Sequence, residues 1–381
     1  MKVWHVVHGF APELTGGTER TVEALARAMA ADGHAVTVVC GSIEPASSTR
    51  VDEFDVDGLR VLRLHREDLF YESWYKTWSP LVGATFDELL AREAPDVVHV
   101  HHWIRLTSDL ARRAREAGAV VAVTGHDFFS TFASPVRRFG DDTPTLPETD
   151  DFLGATERAN AFADHRDDFA DEFAAAHLRY APCASHAAGL QSTASAELGP
   201  IRTSAPPLLQ VPARLPEPPK RGKRLVTWGS LYPEKGLDLV LDAMFSVGGG
   251  WTLDVFGAAH DPAYRDRLEA RAKDMPVVLH GAFSPEDLAT IEADYAVLPS
   301  MCHESYGLTL DEAQCLGLPV IAADLPSYRE HAAPDSTAFF APCDPGDLAM
   351  LLLDEARLEQ LTRPEPPAIC TPIDAARALL S

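Results

Sequence analysis

Glu304 and Glu312 flank a short turn in the run Pro299-Ser-Met-Cys-His-Glu304-Ser-Tyr306-Gly307-Leu308-Thr309-Leu-Asp-Glu312-Ala. An apolar stretch ends before the run, a glycine supplies a turn, and the residues after it predict a helix starting near Thr309. The first amides of such a helix have no intrahelical partner, so they can face an anion. Glu304 precedes the turn and Glu312 lies about one helical turn inside. The two carboxylates can therefore accept hydrogen bonds from two separate sets of hydroxyls. Spacing alone leaves a plainer alternative open, in which Glu304 is a loop carboxylate and Glu312 an exposed helix residue.

A cation for the same chemistry stands upstream, in Val226-Thr-Trp-Gly229-Ser230-Leu-Tyr-Pro-Glu-Lys235-Gly236-Leu-Asp-Leu. A lysine beside a phosphate offsets negative charge that grows as a bond to that phosphate breaks, more strongly in a dry site. A lone Lys between Glu and Gly is equally a surface turn residue. In the first half, Phe10-Ala-Pro-Glu-Leu-Thr-Gly16-Gly17-Thr-Glu19 follows the first apolar run. Paired glycines let backbone approach a ligand and tolerate positive φ, although many such pairs are only tight turns. His126 sits in Thr124-Gly-His126-Asp-Phe at the end of an expected strand, where α/β sheets place ligands. It is a candidate reaction-site residue, with a satisfied structural histidine as the alternative.

Two groups suggest metals and are read otherwise. His99, His101 and His102 are close in sequence, but strand alternation points His99 and His101 together and His102 away. Asp55-Val-Asp57 precedes Gly58-Leu-Arg-Val-Leu-Arg-Leu, which reads as a turn and strand, so the carboxylates belong to a hairpin. No metal site is expected.

The elements that must position these residues follow from apolar periodicity. Strands are predicted over 2–8, 36–40, 97–101 and 120–124, with helices over about 18–31 and 106–117. A second alternating series places strands at 225–228, 253–256, 277–280, 296–299 and 320–323. Both series imply mostly parallel sheets covered by helices. Pro-rich, aperiodic 206–224 reads as a linker between domains 1–205 and 225–371. The span 130–172 reads as an acidic insertion with a helix toward its end, and 372–381 as a terminal segment able to pack back on the first domain. At 381 residues the chain is long enough for two cores.

A formal net charge of −24 argues against sequence-independent binding of nucleic acid or an anionic membrane. The six cysteines are scattered, which fits a reducing cytoplasm, and no run is long and apolar enough for stable membrane insertion. Nothing here fixes the oligomeric state.

The segment from Glu304 to Glu312 resembles the Glu, seven residues, Glu motif of family 4 retaining glycosyltransferases. Gly317-Leu-Pro-Val-Ile-Ala-Ala is similar to that family's Gly, any residue, Pro-Val-Ile strand, and Glu330 falls where it usually has a further acidic residue. The segments around Lys235 and Gly16-Gly17 resemble its phosphate loop and its N-terminal glycine signature. The resemblance runs from the first loop to about Asp347. It implies the GT-B fold, an α/β architecture of two Rossmann-like domains facing each other across a cleft. It further implies that Glu304 contacts a transferred sugar and that Glu312 holds a ribose. Gly307, Leu308 and Thr309 would bind a diphosphate, with Gly16, Gly17, Gly229, Ser230, Lys235 and Tyr306 also at the donor. His126 would lie near the reaction centre. The implied activity is metal-independent, retaining transfer from a nucleotide sugar, UDP favoured, to a soluble small-molecule or glycan hydroxyl, with no cofactor beyond that co-substrate. The family commonly has Arg where this chain has Ser230. That departure keeps two alternatives in view: an epimerase or phosphorylase of the same fold, or a nucleotide-binding protein without transfer activity.

Overall fold

The computed structural model describes residues 1–68, 77–141, 155–217, 221–259, 261–284, 286–367 and 371–380. Two compact units emerge, Met1–Leu209 with Cys370–Ser381, and Gln210–Ile369. Among the described residues no helix is long and apolar enough to cross a membrane.

The first unit is built on β1 (Lys2–Val7), β2 (Ala35–Gly41), β3 (Arg50–Val56), β4 (Leu59–His65), β5 (Val97–Val100), β6 (Val120–Thr124), β7 (Leu178–Ala181) and β8 (Arg202–Thr203). They form one sheet in the order β3-β4-β2-β1-β5-β6-β7-β8. Every pairing is parallel except β3 with β4. That exception is the hairpin expected around Asp55 and Asp57. Asp57 and Gly58 take φ of 48° and 87°, and the Gly58 amide donates to Asp55 Oδ1 at 2.8 Å. Positive φ at both central residues matches the twist of paired strands, so one of the two carboxylates shapes a turn.

Strands β1, β5 and β6 are buried almost throughout because helices cover both faces of a parallel sheet. The Pro372–Leu380 helix packs on the Gly17–Ala31 helix, where Ala375 and Ala376 join Leu25 and Met29 in one apolar cluster. Of the span 130–172 read as an acidic insertion, residues 142–154 lie outside the described residues, and the helix expected toward its end runs Ala155–Ala175. The Ala155–Ala175 helix buries Phe169, Glu172 and Phe173 completely, and the Phe129–Phe132 helix packs beside it. Its many acidic residues conceal an apolar stripe at helical spacing.

The second unit carries β9 (Arg224–Trp228), β10 (Thr252–Phe256), β11 (Val277–Gly281), β12 (Tyr295–Leu298), β13 (Val320–Ala323) and β14 (Thr337–Phe340). All are parallel, in the order β11-β10-β9-β12-β13-β14. The chain starts in the middle, at β9, builds outward to β11, and returns to the other side of β9 at β12. Ligands of such sheets sit beyond the carboxyl ends of the two strands at that reversal. Here those ends are Trp228 and Leu298.

Candidate active site

The two loops leaving β9 and β12 are locked to each other through backbone. The Met301 amide donates to the Glu234 carbonyl at 2.8 Å. Gly236 takes φ of 76°, and a Cβ there would lie 2.0 Å from the Pro299 carbonyl oxygen, so only glycine permits the approach. This contact brings Lys235 Nζ to 2.6 Å from Glu304 Oε1. Their side chains retain 34% and 12% of full exposure. Burial disfavours charge on both, yet each holds the other ionised: Lys235 is raised well above the ordinary lysine range and Glu304 lowered below the usual carboxylate value. Tyr232 lies under the ammonium, its ring centroid 5.5 Å from Nζ.

The helix predicted near Thr309 runs Leu308–Leu316, with Gly307 as its N-cap at φ 94° and no side chain capping it. Its first amides are thus available to an anion. Tyr328 supports the turn from beneath, and a Cβ on Gly307 would come within 2.2 Å of the Tyr328 ring. Gly307→Ala is expected to cost about 2 kcal/mol through left-handed strain and overpacking, seen as a lower urea midpoint. Glu312, one turn into the helix, accepts from Trp228 Nε1 at 2.6 Å. That contact ties the helix to the end of β9, and nothing in the spacing of Glu312 announced it. Gly229 follows Trp228 at φ 127°, and Ser230 after it is exposed. Tyr306 is turned inward: its hydroxyl donates to Asp311 at 2.9 Å and its ring stacks on His331 at 4.2 Å. Its side chain therefore supports the loop.

In the first unit the sheet reverses between β1 and β5, and histidines gather at their ends. Gly16 caps the Gly17–Ala31 helix with φ of −72°, so the glycine pair is not used for positive φ here. A Cβ on Gly16 would lie 2.8 Å from Glu19 Oε2, the end of a side chain. Gly17 itself is exposed. Glu19 is buried and bonds His8 Nε2 at 2.9 Å. The His8 ring packs tilted against His102, whose Nε2 lies 3.3 Å from Asp127 Oδ2. Burial works against charge on Asp127, but the neighbouring His102 holds it well below the usual carboxylate range.

His126 follows Gly125 at the end of β6 and is not alone. Its Nε2 is 2.8 Å from His101 Nδ1, and His101 Nε2 is 3.0 Å from His5 Nδ1. His99 turns to the same side as His101, with ring centroids 3.8 Å apart, and bonds Thr124 Oγ1 at 2.7 Å. One ring nitrogen from each of His5, His99 and His101 lies within 4.8 Å of the others, with the His5 and His101 rings already joined by a hydrogen bond. Alternation foresaw His99 with His101 but missed His5, which belongs to the neighbouring strand.

Residues 15–149 match the family model described as Glycosyltransferase Family 4, and residues 222–354 match Glycosyl transferases group 1. A D-inositol 3-phosphate glycosyltransferase of Jonesia denitrificans is 33% identical over 134 residues, which span 32% of this chain and 31% of that protein. The fold is similar to that of sucrose-phosphate synthase from Thermosynechococcus elongatus, with a TM-score of 0.67 and 18% identity, covering 100% of this chain and 95% of the other. It is similar also to Anabaena HepE in complex with UDP and glucose, with a TM-score of 0.62 and 16% identity over 99% and 94% of the chains. The same two-sheet frame recurs in the catalytic domain of starch synthase IV from Arabidopsis thaliana bound to ADP and acarbose, at 16% identity, a TM-score of 0.65 and coverage of 99% and 97%. The two matched segments contain Gly16, Gly17 and His126 on one side and Lys235, Glu304, Gly307 and Glu312 on the other, and with this pair of Rossmann-like sheets they place the chain in glycosyltransferase family 4, group 1, of the GT-B fold.

Proposed function

We propose that the protein is a retaining glycosyltransferase that moves a sugar from a nucleoside diphosphate donor, UDP favoured, to the hydroxyl of a soluble small molecule or glycan. The observation that carries this reading is the partly buried Lys235–Glu304 pair set beside the uncapped start of the Leu308–Leu316 helix. Amides at Leu308 and Thr309 and the Lys235 ammonium receive the diphosphate, without a metal or other cofactor. As the glycosidic bond breaks, negative charge grows on the leaving phosphate, and these donors stabilise it at fixed positions. Glu304 accepts from hydroxyls of the transferred sugar and Glu312, oriented by Trp228, from those of the ribose. His126, at the end of β6, is the reaction-site histidine that the family resemblance implies. Ser230 brings no second cation, so backbone amides complete the phosphate site.

UDP is favoured because the Anabaena relative binds UDP and glucose, although the starch synthase binds ADP. A thermal-shift screen of UDP, ADP, GDP and their sugars tests the reading. A ligand at about 100 times its Kd adds roughly 2.7 kcal/mol to the folded state, enough to raise Tm by several degrees. UDP and a UDP-sugar are expected to give the largest rise. No shift with any nucleoside diphosphate would remove the donor site, and a product anomer opposite to the donor's would remove retention.

A further inference from the structure

We propose that His101 is a positioning residue for His126: it fixes the one ring proton of His126 on Nδ1, so that His126 meets its ligand as a hydrogen-bond donor. This inference rests on the placement of His126 at the reacting sugar.

The argument is a count of protons along a chain of three rings. His5 Nδ1 lies 3.0 Å from His101 Nε2, and His101 Nδ1 lies 2.8 Å from His126 Nε2. His5 and His101 are 0% and 1% exposed. Burial lowers His5 to about 4 and His126 to about 3, and lowers His101 well below the ordinary range, so each ring is neutral at pH 7 and carries a single proton. Each of the two contacts needs one proton between its nitrogens.

Only two arrangements satisfy both. If the His101 proton is on Nδ1, it donates to His126 Nε2, so the His126 proton must be on Nδ1. His101 Nε2 then accepts from His5 Nδ1, and His5 Nε2 is a bare lone pair. If the His101 proton is on Nε2, every bond reverses, His126 offers a bare Nδ1, and His5 carries its proton on Nε2. Among the described residues His5 Nε2 is buried with no hydrogen-bond partner. The second arrangement therefore strands a buried N–H, which folded proteins rarely tolerate, whereas the first strands only a lone pair. His126 Nδ1 makes no hydrogen bond among the described residues, so its proton is left for a ligand. His99 stands outside the chain because its Nε2 is engaged by Thr124.

The test uses full-length protein labelled with ring 15N-histidine, with His126→Asn assigning the His126 signals. Wild type is expected to show His126 protonated on Nδ1 and bare on Nε2. In His101→Phe the lock is gone, and His126 should shift largely to the Nε2–H form preferred by free neutral imidazole. Turnover should then fall roughly 10- to 100-fold while the donor KM stays within about twofold, the pattern of a lost supporting partner. His5→Phe should leave the His126 proton on Nδ1, because the far nitrogen of His101 then faces no acceptor, whereas general loosening of the strand ends would disturb both variants alike. A wild-type His126 protonated on Nε2 overturns the proposal whether or not the variants fold. So does a His101→Phe protein whose His126 proton has not moved. A moved proton with full turnover instead removes His126 from the reaction, which is the failure of the underlying reading.

Discussion

Glu304→Ala is expected to lower kcat by about 10³-fold while the protein stays folded, because in the proposed mechanism the lost carboxylate acts on the group being transferred. Glu304 is 2.6 Å from Lys235 and largely shielded, so the pair is electrostatically strong where water is scarce. Removing the acid leaves a lysine that still has about a third of its surface in water, so the folded state tolerates the loss. The Gly236 approach to Pro299 and the Glu234–Met301 backbone bond hold the loops together without it. Glu304→Gln keeps shape and one acceptor but not the charge, and should recover only part of the loss. Steady-state rates with circular dichroism as a folding control decide the matter, and near-native transfer by Glu304→Ala strikes this residue from the mechanism.

The largest expected effect on stability falls in the first unit, at Glu172. Its carboxylate is 0% exposed and accepts from Trp103 Nε1 at 2.8 Å, the Ala111 amide at 2.7 Å, and Arg112 N and Nε at 3.1 and 3.2 Å. It thus caps the Leu110–Glu116 helix from the Ala155–Ala175 helix. Alanine would strand these donors in the core and leave a void, a cost of about 3–5 kcal/mol measurable by urea unfolding. An unchanged urea midpoint would contradict this account. Burial, the largest influence, pushes the Glu172 carboxyl up from 4.5 to about 7 against the pull of its donors. Between those values the folded state holds a proton that the unfolded chain has lost, so the contribution of Glu172 falls as pH rises through that window. Glu172→Gln should lack that slope.

Much of the frame was legible in the residues themselves. Apolar runs located nine of the parallel strands but not β7, β8 or β14, the Asp55–Gly58 turn announced a hairpin, and the helix read as starting near Thr309 begins at Leu308. These features depend on local periodicity and turn chemistry, which a single stretch of chain carries. The helix expected in the acidic stretch before Glu172 is present, but which of its residues dock was hidden because surface charges outnumber the few buried ones.

What the sequence by itself determined is the supply of groups: an acidic pair around a glycine turn, a lysine in a glycine-rich loop, and a histidine at a strand end. Only the tertiary structure decided their partners. Lys235 and Glu304 are 69 positions apart and meet because β12 returns to lie beside β9, and Trp228 reaches Glu312 for the same reason. His5 on β1 meets His101 and His126, just beyond β5 and β6, because the sheet sets β5 beside β1. Strand order is set by how crossovers bury the helices over the whole sheet, a long-range energy that no local pattern encodes. The chemistry of each side chain is written in the chain, but its proton, charge and partner are fixed by what the fold sets beside it.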